Sequence, residues 1–155
     1  MGGTAKDERT LEGREILLCL TGGIACYKSA DLASSLVRRG AGLTVAMTAA
    51  ARKFVGPVTF RALTGRRVYC DLWEDAEGTA VRHLSLTERA ELMIVAPATA
   101  NILAKMACGI ADDLVSTLAL SAAGACPILA APAMNSRMWH APATAENVAT
   151  LEKRG

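Results

Sequence analysis

Aromatic residues are scarce in this chain: Phe, Trp and Tyr make up only 4% of its 155 residues. A core without large rings must be assembled from Ala, Val, Leu and Ile. Such a core suits helices packed closely on a parallel sheet better than a β-sandwich. A surplus of one charge is missing too. The 17 Lys and Arg against 15 Asp and Glu leave a formal +2, which argues against a nucleic-acid face or a polybasic membrane surface. Cysteine pairs at metal or redox spacing are absent as well. Cys19, Cys26, Cys70, Cys108 and Cys126 are odd in number and form no C-x-x-C, so neither a zinc site nor a disulfide framework fits. Several lie in apolar runs, where a reduced thiol packs as a small hydrophobe.

Residues 1–13 are polar and charged and lack the apolar stretch of a secretory signal. They are expected to form most of a flexible polar tail over 1–14, ahead of one domain over 15–155. The one long uncharged stretch, 114–136, is broken by Gly124, Pro127 and Pro132. It reads as a buried helix, a turn and a buried strand rather than a membrane span. The expectation is a soluble, reduced, cytoplasmic protein. With 52% hydrophobic and 21% charged residues, and a length close to the ~150 residues of one domain, the chain can bury a core.

The apolar residues present fall into alternating strand and helix patterns. Residues 15–20 form a short apolar run that ends at Thr21-Gly22-Gly23, as a strand buried on both faces does. A helix is expected over 24–39, closed by Gly40, then a strand over 43–48, completing a βαβ unit. Residues 50–63 read as helical in two pieces interrupted by Gly56-Pro57, and 67–69 as a short strand. Residues 72–80, rich in acids, read as a solvated loop. A strand over 92–96 leads through Pro97 into a helix reaching about Cys108. Asp112 or Asp113 is placed to cap the next helix. A strand over 127–131 and a helix over 143–153 complete an α/β, doubly wound parallel sheet with helices on both faces. Ligands of such sheets bind beyond the carboxyl ends of the strands.

Those strand exits hold the candidate functional residues. Gly22-Gly23 opens a helix directly after a strand, where amides and the helix dipole can receive a phosphate. It is neither G-x-G-x-x-G nor a Walker lysine pattern, and a tight βα turn without a ligand explains it as well. Thr48 and Thr99 sit at neighbouring exits. His83 follows the charged loop, just before a helix-like segment; it is either a proton carrier or an exposed loop histidine. Asn135 either donates to a carboxylate or caps a helix. Met134, Met138 and Trp139 either line an apolar pocket or belong to the core. Arg38-Arg39, Arg66-Arg67 and Lys153-Arg154 read as solvated faces.

Five blocks occur in one order: Thr21-Gly-Gly-Ile-Ala25, His83-Leu84, Ala96-Pro-Ala-Thr-Ala-Asn101, Gly109-Ile-Ala-Asp-Asp-Leu114 and Pro132-Ala-Met-Asn-Ser-Arg-Met-Trp139. Together they resemble the homo-oligomeric flavin-containing cysteine decarboxylases, most closely the phosphopantothenoylcysteine decarboxylase domain of coenzyme A biosynthesis. The resemblance implies a Rossmann-like flavoprotein fold with FMN as cofactor. It implies oxidation of the cysteine moiety to a thioaldehyde, loss of the neighbouring carboxylate, and return of the electrons by the same flavin. By motif match, His83 is the active-site histidine and Asn135 holds the substrate carboxylate. Gly22, Gly23, Thr48 and Thr99 fall around the FMN phosphate, with Phe54, Ala100 and Asn101 near the flavin. A homotrimer or larger homo-oligomer is implied, together with a fused or separate phosphopantothenate–cysteine ligase.

Two departures qualify that reading. Ile102 stands where relatives commonly have Thr, which removes one hydroxyl from the phosphate site. Relatives also carry a further strand and a glycine-rich flap with a cysteine, and none of the five cysteines here lies in a matching motif. Two alternatives follow: an FMN-binding protein without full turnover, or a decarboxylase of peptides ending in cysteine.

Overall fold

The structure, a computed structural model, describes residues 10–73 and 79–155, without side chains at 79–83. Five strands, β1 (Glu15–Leu20), β2 (Gly42–Met47), β3 (Val68–Tyr69), β4 (Leu92–Ala98) and β5 (Ile128–Pro132), form one sheet in the order β3-β2-β1-β4-β5. Every pairing is parallel. The helices are α1 (Cys26–Arg38), α2 (Pro57–Thr64), α3 (Thr79–Arg89), α4 (Ala100–Cys108), α5 (Leu114–Ala122), α6 (Ser136–Trp139) and α7 (Pro142–Arg154), with a single 3-10 turn at Ala51–Lys53.

Because successive strand residues point to opposite faces, each apolar strand feeds two cores. Ile16, Leu18 and Leu20 join Val45, Met47 and Ile94 under α1 and α2, with Phe60 of α2 fully buried among them. Leu17 and Cys19 join Met93 and Val95 under α4 and α5, with Leu86 of α3 and Val148 and Leu151 of α7 packed on that layer. The doubly wound arrangement expected from the apolar runs is therefore present, with helices on both faces. Strand order reverses between β1 and β4, and the crevice at that switch point is where such sheets hold ligands.

Some boundaries differ from expectation. Leu11 packs against the first core and its amide donates to the Arg39 carbonyl at 2.9 Å, so the chain is held four residues before β1 and the tail expected over 1–14 ends earlier. Residues 1–9, and the acidic run at 74–78, lie outside the described residues. β4 runs on to Ala98, which pairs with Pro132 after a register shift from Val95, an irregularity of the kind that re-aims a chain at a site. His83 lies within α3 rather than before it. Two of the arginines expected on solvated faces are engaged. Arg66 pairs with Glu15, and the Arg154 guanidinium donates to the Ala107 carbonyl at the end of α4, at 2.9 Å. No helix among the described residues is long and apolar enough to cross a membrane.

Candidate functional site

At the end of β1 the chain turns through Thr21-Gly22-Gly23 into α1. Thr21 is buried, and its hydroxyl joins two exits: it donates to the Pro97 carbonyl at 2.5 Å and accepts from the Thr99 amide at 3.2 Å. Thr99 caps α4, its hydroxyl accepting from the Ile102 amide at 3.3 Å and its carbonyl from the Leu103 amide at 3.1 Å. The amides of Ala100 and Asn101 are left as helix-start donors with no acceptor in the chain among the described residues. The third exit, after β2, is pinned by Thr48, whose hydroxyl accepts from the Ala51 amide at 3.1 Å.

The two glycines serve different ends. A Cβ at Gly22 would collide with that of Ala50 and press on the Ala50 carbonyl carbon at 3.0 Å, so glycine lets the first and third exits close together. A Cβ at Gly23 would meet nothing nearer than Thr99 Cγ2 at 3.6 Å. There the chain itself leaves room, and a side chain would fill the cleft instead. Cys26, in the place where a dinucleotide fingerprint has a later glycine, is buried beneath the turn, and its thiol donates to the Thr21 carbonyl at 3.0 Å. Burial pushes that thiol up from its ordinary pKa, so it acts as a neutral prop.

These exits line a cleft of about 850 Å³, closed on the β5 side by Met134, Asn135 and Met138. Asn135 caps the single turn α6, its Oδ1 accepting from the Arg137 amide at 2.8 Å. The capping reading of this residue is the one seen here, and it consumes the carbonyl oxygen only, leaving the donors of the amide nitrogen uncommitted. Apart from Lys105 and Asp113, which pair with one another, the cleft lining carries no formal charge among the described residues.

The structure gathers Gly22, Gly23, Thr48, Thr99, Ala100, Asn101 and Asn135 at this cleft. Phe54 is half-exposed just beyond the 3-10 turn and does not line it in the single chain. His83 sits on α3, which leads back to the start of β4, so the earlier turns of α3 lie toward the cleft end of the sheet; its side chain lies outside the described residues. Met134 and Met138 line the cleft, while Trp139 lines a separate groove of about 500 Å³ beside α4 and α7. Sequence reasoning missed Thr21 as the hub of the site. The available signal was a threonine closing an otherwise apolar strand.

The family model described as Flavoprotein matches residues 4–155. The chain belongs to the Flavoprotein family. It is 46% identical over 147 residues to the coenzyme A biosynthesis bifunctional protein CoaBC of Vibrio vulnificus, covering 95% of this chain and 36% of that protein. It is 44% identical over 145 residues to the CoaBC of Bacillus subtilis, covering 94% and 35%. The chain thus spans about a third of the length of these relatives. Among solved structures it resembles the FMN-dependent cysteine decarboxylase SpaF, with a TM-score of 0.84 at 34% identity over 94% of this chain and 83% of that one. It also resembles a PPC decarboxylase variant complexed with pantothenoylaminoethenethiol, with a TM-score of 0.79 at 26% identity over 92% and 79%.

Membership of the Flavoprotein family supports a flavin as the cofactor, and the cleft has donors that fit an anionic group. Two helix starts, a glycine whose missing Cβ leaves open space, and free amides at Ala100 and Asn101 form a neutral donor set suited to a phosphate. The side chain of Ile102 is buried in the second core, so it is the backbone of this turn that faces the cleft.

Proposed function

We propose that this chain catalyses FMN-dependent decarboxylation of phosphopantothenoylcysteine to phosphopantetheine. The observation that carries the reading is Asn135: its oxygen is committed to the α6 cap and its amide nitrogen is free, in the same cleft as the donors at Gly23, Ala100 and Asn101. Gly22, Gly23, Thr48 and Thr99 hold the FMN phosphate, with Ala100, Asn101 and Phe54 nearer the ring. Asn135 holds the substrate carboxylate through a neutral donor. An arginine there would stabilise the carboxylate in the ground state and oppose its loss as carbon dioxide; an amide orients it without that penalty. Met134 and Met138 exclude water around the cysteine moiety. His83, on α3, moves the proton. Bound FMN would supply a temporary two-electron sink, taking a hydride equivalent from the cysteine moiety and returning it after decarboxylation.

The CoaBC relatives at 44–46% identity favour the coenzyme A substrate over cysteine-ending peptides. Their description as bifunctional supports a phosphopantothenate–cysteine ligase as working partner, fused or separate. Exposed Ile24, Tyr27, Phe54 and Val58 near the α1 side of the cleft support assembly as a homotrimer that brings Phe54 to a neighbouring site. A light-scattering mass equal to one chain would remove that assembly.

The deciding experiment is anaerobic. The chain is loaded with FMN, phosphopantothenoylcysteine is added, and flavin absorption and released carbon dioxide are followed together. Bleaching with carbon dioxide release is expected. Bleaching that persists would mean that the reductive half needs a proton donor beyond these residues; no cysteine among the described residues lines the cleft. Flavin bound but unchanged would point to a binding module, and reaction only with cysteine-ending peptides would move the substrate to that class.

A further inference from the structure

Lys105 and Asp113 are the charged residues that line the cleft among the described residues, and the proposed reaction uses neither. Asp113 has a structural task. One of its oxygens accepts from the Ser116 amide at 2.9 Å, and the Ser116 hydroxyl accepts from the Asp113 amide at 3.1 Å, a reciprocal cap that starts α5. Carboxylates are favoured at such a helix start. The same carboxylate, however, stands in a cleft whose other polar groups are donors suited to an anion.

Lys105, on the turn of α4 that follows Asn101, resolves the conflict. Its ammonium lies 2.6 Å from Asp113 Oδ2 and 2.6 Å from Asp112 Oδ1, with the side chain only 16% exposed. We propose that Lys105 is a positioning residue that masks the α5 cap, so that the capping carboxylate can line the same cleft as the phosphate cradle without repelling the FMN phosphate. The mask acts on charge through Asp113 and not as a direct phosphate ligand: the ammonium is directed at two carboxylates that it clasps across α4 and α5. This inference rests on the FMN reading above.

The test compares FMN with riboflavin, which has the ring but no phosphate, by fluorescence titration of the purified chain. Wild type preferring FMN is the check on the cradle itself; equal binding of the two would overturn the FMN reading before any variant is considered. With that preference in hand, Lys105→Met is expected to weaken FMN about tenfold, the scale of one uncompensated charge in a partly wet site, and to leave riboflavin affinity unmoved. Lys105→Arg keeps the preference, and Lys105→Met with Asp113→Asn restores it. Equal loss of both flavins would make Lys105 a scaffold residue and overturn the proposal. So would failure of the double variant to recover, which would make the ammonium a direct phosphate ligand, and so would an unchanged Lys105→Met. If Lys105→Met does not fold, Asp113→Asn alone carries the question: FMN binding equal or tighter is expected, and weaker FMN with unchanged riboflavin would overturn the mask.

Discussion

At the end of the sheet where the strands begin, charge meets charge. Arg14 bonds to Glu91 at 2.6 Å, and Arg66 grips both oxygens of Glu15 at 2.6 and 2.9 Å. At the other end the polar groups are hydroxyls, amides and the carboxamides of Asn101 and Asn135, beside the single pair Lys105–Asp113, and several donors there stay unspent. The first end satisfies itself: the Arg66 guanidinium holds Glu15 below the ordinary carboxylate range, and Arg14 does the same for Glu91. The second end keeps donors, at Ala100 and Asn101, that no acceptor among the described residues takes up. Unfilled donors that are rigidly placed are therefore a better pointer to a site than charge is, since paired charges are complete without a ligand.

The largest effect expected from breaking this contrast lies in chemistry at the carboxyl end. His83→Asn should lower carbon dioxide release by about 10²–10⁴-fold, the usual weight of a general acid or base, with FMN still bound in a fluorescence titration. Unchanged release would remove His83 from the reaction. Asn135→Asp comes next. It keeps the oxygen that caps α6 yet sets a carboxylate against a carboxylate, so release should fall about a hundredfold while the flavin spectrum of the loaded protein stays as it is.

Glycine offers a matched pair, one residue at each end. Gly22→Ala drives a methyl into Ala50, whose backbone cannot easily yield, and should cost about 1–3 kcal/mol in thermal or urea unfolding and weaken FMN as well. At Gly42 the added methyl meets the tips of Glu15 and Arg66, flexible ends that can move. Gly42→Ala should therefore stay within about 1 kcal/mol of wild type and leave FMN affinity alone.

The smallest effect belongs to the ion pair. Arg66→Met should cost at most about 1 kcal/mol at pH 7, because both side chains are about a third exposed. Glu15 is depressed by its hydrogen bond to Arg66, so the pair stabilises the fold above the ordinary glutamate range and stops doing so as pH falls through the lowered native value. Urea midpoints of wild type and variant should converge on acidification, and a gap that widens in acid would contradict the pairing.

Much of this was legible from residue order. The run at 15–20 with its glycine exit matched β1 residue for residue, and the break at Gly56-Pro57 matched the start of α2 at Pro57. Of Asp112 and Asp113, either of which was placed to cap the helix after Gly109, Asp113 does so. His83 was harder to place, because the run of acids ending at Gly78 reads as a loop and the polar residues that follow hide where the helix begins. The partners of Arg66 and Arg154 were hidden for a different reason: long cationic side chains find partners through space, and their neighbours in sequence do not reveal them.

Properties that depend on neighbours along the chain followed from residue order alone: hydropathy runs, helix caps, the glycine turn, and with them the parallel sheet and the exits where a ligand would sit. The tertiary structure decided which exits meet. It joined Thr21 to Pro97 and Thr99, more than seventy residues away in the chain, committed only the oxygen of Asn135 to a cap, and set Lys105 against Asp113 inside the cleft. Hydrogen bonds and ion pairs act over about three ångströms of space, and only packing of the two cores brings distant parts of the chain within that range.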